Sequence, residues 1–495
     1  MNVQTTNRRR SSEAGVAMLI AIFVLLLIAV VGIALIVSSG TETALAGNYR
    51  SSTAVYYAAL AGLEEGRGRL LPSNPNFFNV FPAPPGTPLP VGQVWYITNP
   101  ANGEDVLTAY PDREFNNEFA GTVTIAGSTV TPIPSVSTVA GIQGPLYRWV
   151  RINAVTEASL NLDINNDGNT TDPGVIYYDG THLTLNPTSS QALEITSLAV
   201  LPNGSQKMAQ YIVAPVTLNF PAALTFDGNN PQFTASTSPS FFVQGSDLVS
   251  VGTCNPGSGV PAVGYTNGSL SDFTKPNNPS GIPTALKNNY NTSGVTPIPS
   301  TPDIVPVALQ PNLQTVGGLN SLVQTITQNA DVVVNGPVIQ GGSHNLMPSW
   351  MSATNPATVV VNGDLTFNSW RQTGYGILLV TGKLTYDPDT SWNGIILVIG
   401  EGLLYSHQGA FTNTQIQGAV FLARTLDATG NPLLPSSAPA FIPPAPPAPP
   451  LPLVSGFDFV NTPSSLTNGI QYSSCWIQAV QPLTYKVLSF HEILQ

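Results

Sequence analysis

Charged residues are scarce in this chain: Asp, Glu, Lys and Arg make up 9% of its 495 residues, against about 25% in typical soluble domains. Only 16 residues are Lys or Arg, and outside Arg8, Arg9 and Arg10 they form no cluster. We therefore expect no nucleic-acid partner, because such an interface needs a basic surface. The chain also lacks a phosphate loop, a dinucleotide-binding fingerprint and a Gly-x-Ser-x-Gly elbow, so these motifs give no support for an enzyme.

Histidine and cysteine are equally rare, with four and two residues. The histidines share no metal-ligand spacing and are expected to be ordinary surface or hydrogen-bonded residues; they are His182, His344, His407 and His491. No Cys-x-x-Cys motif occurs, so zinc or thioredoxin-type chemistry has no support. Cys254 and Cys475 permit one disulfide bond in an oxidising compartment. Two buried thiols are the alternative.

Glycine and proline are abundant, with 44 and 45 residues. They disfavour long helices and favour short strands joined by turns. The length allows two to four domains with a sizeable core. These features predict an α+β fold that is mainly β.

One long hydrophobic run contrasts with this composition. Val16 to Val37 contains no charged residue, and a helix of that length spans the roughly 30 Å hydrocarbon layer of a membrane. Because Arg8, Arg9 and Arg10 precede it, the N-terminus should stay in the cytoplasm and the remaining chain should be exported. We therefore expect a single-pass membrane protein with an exported C-terminal body.

Three interpretations of the run differ in how the N-terminus is processed. It is a plain anchor, a signal peptide cut after Ala44-Leu45-Ala46, or a segment retained after cleavage at Gly15. Signal peptides have apolar cores of about 7–15 residues, shorter than this run. The basic leader ending in Glu13-Ala14-Gly15, followed directly by the apolar run, resembles a prepilin leader. In that family a membrane peptidase cuts after the glycine, which would leave Val16 as the first residue.

A finer resemblance links residues 13–20, 46–50 and 56–64 to PilX-like minor pilins of type IV pilus systems. It covers about the first seventy residues. It implies insertion in the inner membrane, processing by a prepilin peptidase, and assembly with other pilins or pseudopilins into a pilus on the cell surface. Major pilins carry a glutamate at the fifth mature position, where this chain has Ile20. An unpaired charge in a membrane is costly, so its absence suits a subunit at the filament tip.

Helical character is predicted to continue to residue 71. Apolar residues recur every three or four positions in Leu45, Tyr49, Tyr56, Leu60, Leu63 and Leu70. Pro72 ends the pattern. A helix over 16–71 would be roughly 80 Å long, and two shorter helices are the alternative. Residues 72–145 are predicted to be a Pro/Gly-rich linker and irregular region.

Antiparallel strands are predicted for residues 146–225, as in a pilin head. Tyr147 to Val155 forms one strand, and Ala192–Leu201 and Lys207–Val216 flank the turn sequence 202–205. The following segment, 226–325, is rich in Asn, Ser, Pro and Gly and is predicted to be an irregular insertion.

Residues 326–425 contain short apolar runs bounded by glycines. Val332–Gly336 is echoed by Val359–Gly363, and related runs occupy 376–382, 394–400 and 418–422. Their spacing near twenty residues predicts the stacked rungs of a β-solenoid, with an ordinary sheet as the alternative. Residues 426–455 form a proline-rich segment, extended over 435–453. The last segment, 456–495, is predicted to contain strands, with a strand pattern from Trp476 to Ile493.

One loop sequence has the spacing of a calcium site. Oxygen-bearing side chains alternate around Gly168, which allows a tight turn; they are Asp163, Asn165, Asp167, Asn169 and Asp172. Gly174 occupies the position where a full EF-hand loop has glutamate. An Asn/Asp-rich turn without metal is the alternative, since it needs the same residues. No other cofactor is expected.

Two further patterns bear on carbohydrate chemistry. Asp387 and Asp389 resemble an acid–base pair, but Pro388 between them favours a turn. Trp350, Trp370 and Trp392 are expected to pack in the core or at its rim, with a sugar-binding face as the alternative. The sequence therefore predicts a structural minor pilin-like subunit, possessing no catalytic residues and suited to adhesion. The alternative is a tethered or secreted β-solenoid protein that binds or cleaves polysaccharide.

Overall fold

The computed structural model describes residues 10–71, 89–100, 104–118, 124–130, 146–180, 182–187, 189–234, 241–247, 249–252, 254–267, 284–291, 303–342, 344–387, 389–406, 415–442, 456–458, 468–481 and 484–493. Residues outside this part of the chain include Arg8 and Arg9 of the predicted leader, residues 72–88 of the predicted linker and irregular region, and residues 443–455 of the proline-rich segment.

One continuous helix, α1 (Arg10–Gly68), begins the fold. It contains no proline, and Gly40 and Gly47 do not interrupt it. Arg67 pairs with Glu64 at 2.6 Å and Arg69 with Glu65 at 2.7 Å, which stabilises the last turns. The prediction of a single long helix rather than two shorter ones is confirmed.

The region after α1 forms strands with three short helices between them. The strands are β1 (Gln93–Thr98), β2 (Thr124–Val130), β3 (Tyr147–Ala154), β4 (Tyr177–Tyr178), β5 (Leu183–Thr184), β6 (Ser190–Gln191), β7 (Leu193–Val200) and β8 (Gln206–Val216). The helices are α2 (Val106–Ala109), α3 (Arg113–Glu118) and α4 (Glu157–Leu160).

The predicted hairpin is present as β7 and β8, which pair antiparallel from Leu193↔Val213 to Val200↔Gln206. Strand β3 pairs antiparallel with β7. β1 and β2 extend the same sheet, although the sequence assigned 72–145 to a linker and irregular region. The four inner residues of β1 are all buried, so this strand has no alternating pattern, and Gly127 interrupts the pattern of β2.

The remaining strands are β9 (Leu224–Asp227), β10 (Phe233–Thr234), β11 (Phe241–Gln244), β12 (Val263–Tyr265), β13 (Tyr290–Asn291), β14 (Ile304–Pro306), β15 (Val332–Asn335), β16 (Val338–Gln340), β17 (Ala357–Asn362), β18 (Leu365–Phe367), β19 (Thr373–Val380), β20 (Lys383–Tyr386), β21 (Ser391–Gly400), β22 (Leu403–Ser406), β23 (Gln415–Arg424), β24 (Gly456–Asp458), β25 (Asn468–Tyr472) and β26 (Thr484–Ile493). Helices α5 (Val316–Gln328) and α6 (Ser474–Ala479) accompany them, with 3-10 turns at Thr284–Asn289 and Pro311–Leu313.

Residues 218–481, named here the parallel body, contain two sheets. One has the order β10-β24-β22-β20-β18-β16, and the other includes β13-β11-β25-β23-β21-β19-β17-β15 together with β9, β12 and β14. From β15 to β22 the chain alternates between the sheets, and each strand pairs in parallel with the next strand of its sheet. Their facing side chains form one apolar core.

The segment 226–325, predicted to be an irregular insertion, differs from that expectation. Its described parts supply β10 to β14, and β9 ends within it at Asp227. These strands have two to four residues each, so their periodicity is hidden among turn residues. The final strand pattern also begins later than predicted. Ser473 caps α6 by accepting a hydrogen bond from the Trp476 amide, and β26 begins only at Thr484.

The parallel body is inserted between two paired strands. β8 ends at Val216, and β26 begins at Thr484, which pairs with Val216. Next to this junction the Gln481 side chain accepts a hydrogen bond from the Leu218 amide and donates one to the Leu218 carbonyl, both at 2.9 Å. The sheet β2-β1-β3-β7-β8-β26, named here the helix-bound sheet, is therefore completed by the last strand of the chain.

A ladder of glycines crosses three strands of the parallel body. Gly376, Gly394 and Gly418 are aligned by the pairing of β19, β21 and β23. Their φ angles are +122°, +133° and +148°, and an added Cβ would overlap a neighbouring carbonyl oxygen at each position. Glycine is required here both for the backbone conformation and for the close approach of the strands.

We expect Gly394→Ala to destabilise the parallel body by about 3 kcal/mol or more, because the new Cβ would overlap the Gly376 carbonyl oxygen. Gly257→Ala is the matched control, since its Cβ would meet only ordinary contacts beginning at 3.5 Å. Chemical denaturation would compare the two variants. Equal stability for them would show that the glycine ladder is not required.

Candidate functional site

The N-terminal half of α1 is not covered by the other described residues of the chain. Among the described residues, Gly15–Gly68 is the one helix long and apolar enough to cross a membrane, and its most apolar 18-residue window is 0% buried. Val16, Ile20 and Val37 are 61%, 57% and 59% exposed. Such a continuous apolar surface needs lipid or other apolar helices around it.

Gly15 lies on this exposed part of α1, with Val16 directly after it. A Cβ added at Gly15 would meet nothing within 4 Å, and the same holds for Gly32 in the middle of the apolar run. Larger side chains at either position would therefore leave the packing of the rest of the molecule unchanged.

The C-terminal half of α1 packs on the helix-bound sheet. Val55, Ala59 and Leu63 are almost completely buried there, in one core with residues of β3, β7 and β8. Gly62 and Gly66 face the sheet so closely that a Cβ on Gly66 would lie 2.8 Å from Ile195 and 2.9 Å from Val150. These two glycines let the helix approach the strands.

Exposed apolar side chains continue along α1 beyond the apolar run that ends at Val37. Leu45 and Tyr49, two members of the predicted apolar stripe, are 71% and 75% exposed, and Tyr57 is 64% exposed. The stripe is therefore buried against the sheet only in its later members, including Leu63 and Leu70. The earlier members are available to a neighbouring molecule.

The predicted calcium loop lies between α4 and β4. Asp163 accepts hydrogen bonds from the amides of Asp167 and Gly168, and Asn165 accepts one from the Asp167 amide. In this conformation no three His, Cys, Asp or Glu side chains of the described residues are grouped as a metal site. The loop geometry agrees equally with the alternative of an Asn/Asp-rich turn.

The two cysteines are joined in the structure. The Cys254 and Cys475 sulfurs are 1.99 Å apart, and their Cα atoms are 5.6 Å apart. The disulfide ties the loop after β11 to α6. Asp247 reinforces this connection by accepting hydrogen bonds from the Ser474 amide and the Gly257 amide.

The two carboxylates predicted as a weak acid–base candidate have structural partners. Asp387 accepts hydrogen bonds from the amides of Ser369 and Asp389, at 2.6 and 2.9 Å. Asp389 pairs with Arg371 at 3.3 Å. Both carboxylates are buried, and these contacts hold neighbouring turns together. Their geometry therefore gives no support for a catalytic pair.

The tryptophans occupy different environments. Trp392 is fully buried, Trp370 is 5% exposed and stacked on Phe367, and Trp350 is 46% exposed. Only Trp350 therefore presents a large surface. Among the described residues, His182, His344 and His491 belong to no metal-binding group of three His, Cys, Asp or Glu side chains, and His407 lies outside the described residues.

A shallow cleft of about 420 Å³ lies at the turns after β16 and β18. Its lining is mostly polar and includes His344, Asn345, Trp370, Arg371 and Gln372. Side chains with several hydrogen-bonding groups next to an aromatic ring can recognise a polar ligand. The sequence pattern did not indicate this cleft, because its residues come from two separate turns.

A buried ionic cluster fixes α3 on the helix-bound sheet. Arg151 is fully buried and contacts Asp112 at 2.9 Å, Glu114 at 2.6 Å and Glu194 at 2.5 Å. Burial opposes the charge of Arg151, but the carboxylates of Glu194 and Asp112 raise its pKa above the usual value. Since its donors are used by these partners, we interpret the cluster as structural.

Asp227, at the end of β9, is a second buried charge that the sequence did not reveal. Only 1% of the residue is exposed. Burial raises the pKa of its carboxyl to about 7, and a hydrogen bond from the Thr266 hydroxyl at 2.8 Å opposes the rise. The folded protein therefore holds the Asp227 proton more tightly than the unfolded chain does.

The stability of the parallel body should decrease as pH rises from about 4 to about 7 and then level off. In this window the unfolded chain loses the Asp227 proton while the folded state still holds it. The resulting decrease in the free energy of unfolding is about 2–4 kcal/mol. Unfolding free energies measured from pH 4 to pH 8 would test this. Asp227→Asn should remove the decrease, and an unchanged decrease would assign it to other groups.

No protein-family model, no curated protein and no solved structure matches this chain.

Proposed function

We propose that this protein is a minor pilin-like structural subunit of a type IV pilus or a related pseudopilus. The observation that carries the proposal is the division of α1 into two halves. Its first half is apolar and exposed, while its second half is packed on the antiparallel strands β3, β7 and β8. In a pilin the first half lies in the membrane before assembly and in the filament core afterwards.

The apolar half would supply the assembly contacts. Each subunit would be inserted in the inner membrane, processed by a prepilin peptidase after Gly15, and packed through α1 against other pilins or pseudopilins. The exposed Leu45, Tyr49 and Tyr57 continue the contact surface beyond the membrane. Ile20 in place of the family's glutamate favours a position at the tip, where no neighbouring amine has to be neutralised.

The two β regions would have separate roles. In this proposal the helix-bound sheet is a pilin-like head, and the parallel body is a β-solenoid carried at the filament surface. Two observations support the solenoid. Strands that follow one another within a sheet pair in parallel, and Gly376 is aligned with Gly394, eighteen residues later. The low charge and large exported surface of the body suit adhesion.

Saccharide binding is the second candidate, and the cleft lined by His344, Trp370 and Arg371 is the observation that favours it. It is compatible with a pilin role, because an adhesive subunit needs a ligand. Cleavage of polysaccharide is less favoured, since Asp387 and Asp389 are both held by main-chain or Arg371 contacts.

We expect Gly15→Leu to block maturation, because the prepilin peptidase requires a small residue at the cleavage site. The precursor should then be retained in the membrane and absent from sheared surface filaments. Gly32→Leu is the matched control for cleavage alone, since Gly32 lies away from the cleavage site and neither position has a neighbour within 4 Å of an added Cβ. Intact mass and N-terminal sequencing of the wild-type and variant proteins would show the difference.

Two results would overturn the pilin assignment. A wild-type product that begins after Ala46 would identify a secreted protein without its apolar helix. A wild-type product that retains residues 1–15 would identify a plain membrane anchor.

A further inference from the structure

The loop that follows α4 concentrates negative charge without a basic partner. Four carboxylates lie between residues 157 and 172, and no Lys, Arg or His occurs between Arg151 and His182. The described salt bridges of the molecule include none of these four groups. Repulsion among them would be reduced by a bound cation.

Glu157 provides an observation independent of the loop pattern. Its side chain is completely buried at the start of α4. One carboxylate oxygen, Oε1, accepts a hydrogen bond from the Ile164 amide at 2.7 Å, so the carboxylate faces the start of the loop. The other oxygen, Oε2, is buried without a hydrogen-bond partner. A buried carboxylate with so few partners is unfavourable unless a proton or a cation compensates it.

The position of Glu157 is fixed by the residues around it. Thr156 and Ser159 form a reciprocal capping box at the N-terminus of α4, which limits the freedom of the first turn. The capping box fixes the backbone of Glu157, and the hydrogen bond from the Ile164 amide holds its carboxylate at the start of the loop.

Asparagine amides lie between the carboxylates of the loop. The Asn165 amide group donates to Asp167 at 3.0 Å and to Asp172 at 3.1 Å, and Asn169 donates to Asp172 at 2.5 Å. The N–H groups of these two asparagines thus lie between the carboxylate oxygens of Asp167 and Asp172. A rotation of an amide side chain would present its carbonyl oxygen instead, which is an acceptable calcium ligand.

We propose that residues 157–172 bind one calcium ion, with Glu157 replacing the glutamate that the loop lacks at Gly174. The remaining oxygen ligands would come from Asp163, Asn165 and Asp167. Since the described carboxylates are not grouped as a metal site, they would move together and the amides of the loop would turn as the ion enters. Calcium is favoured over magnesium because an irregular set of oxygens suits its larger and more variable coordination shell. We expect an affinity of about 10⁻⁴–10⁻³ M, the range of extracellular modules.

The bound ion would stabilise the connection between β3 and β7. The loop leads into Ile176, whose amide bonds the Val155 carbonyl and whose carbonyl accepts from the Ala192 amide. Val155 and Ala192 directly adjoin β3 and β7. Calcium would therefore act on the helix-bound sheet, and this inference does not depend on processing at Gly15.

Calcium binding can be tested on the full-length chain in detergent micelles, by isothermal titration with CaCl₂ and separately with MgCl₂. We expect one calcium site, with magnesium binding at least about tenfold more weakly. Glu157→Gln and Asp167→Asn should each weaken calcium binding by at least about tenfold. Asp427→Asn is the matched control, because Asp427 also closes a turn by accepting main-chain hydrogen bonds but has no second carboxylate bonded to that turn.

Each outcome decides part of the proposal. Absence of binding up to about 10 mM calcium would overturn the site. Equal affinity for magnesium would overturn the choice of calcium, and normal binding by Glu157→Gln would remove Glu157 from the ligands. Circular dichroism would verify that the variants are folded. If Glu157→Gln does not fold, the exposed Asp167→Asn still tests the site.

Discussion

The structure depends on how α1 divides its length between two surroundings. Water is a poor solvent for the uninterrupted apolar run, and the part of the chain that the structure describes does not cover it. The second half finds its cover in the helix-bound sheet, where Gly62 and Gly66 permit a close approach. A helix of this kind connects an apolar environment to a folded domain, so the domain must follow wherever the apolar half is placed.

The parallel body is stabilised in a different way from the packing of α1 on its sheet. Its strands pair in parallel with neighbouring strands of the same sheet. The aligned glycines determine how closely these strands approach one another. Little charge is needed for such stacking, and the chain has few charged residues. The body has its own apolar core, separate from the core shared by α1 and the helix-bound sheet.

Much of this architecture could be predicted from strong local patterns, including the apolar run, the β7–β8 hairpin and the repeated Val-Val-Val-Asn-Gly segments. Strands of two to four residues, such as β10 and β13, carry too little pattern to be recognised. The pairing of β26 with β8 joins residues from distant parts of the chain. Glu157 and Asp227 could not be identified, because burial of a carboxylate depends on the tertiary fold.

The insertion of the parallel body between β8 and β26 has a mechanical consequence. A load applied to the body would reach the rest of the molecule through both ends of the insertion, along two strands bonded side by side. If those strands are pulled in the same direction, their hydrogen bonds are not unzipped one after another. The load then passes through the sheet to α1, so the attachment of the parallel body does not depend on a single connection.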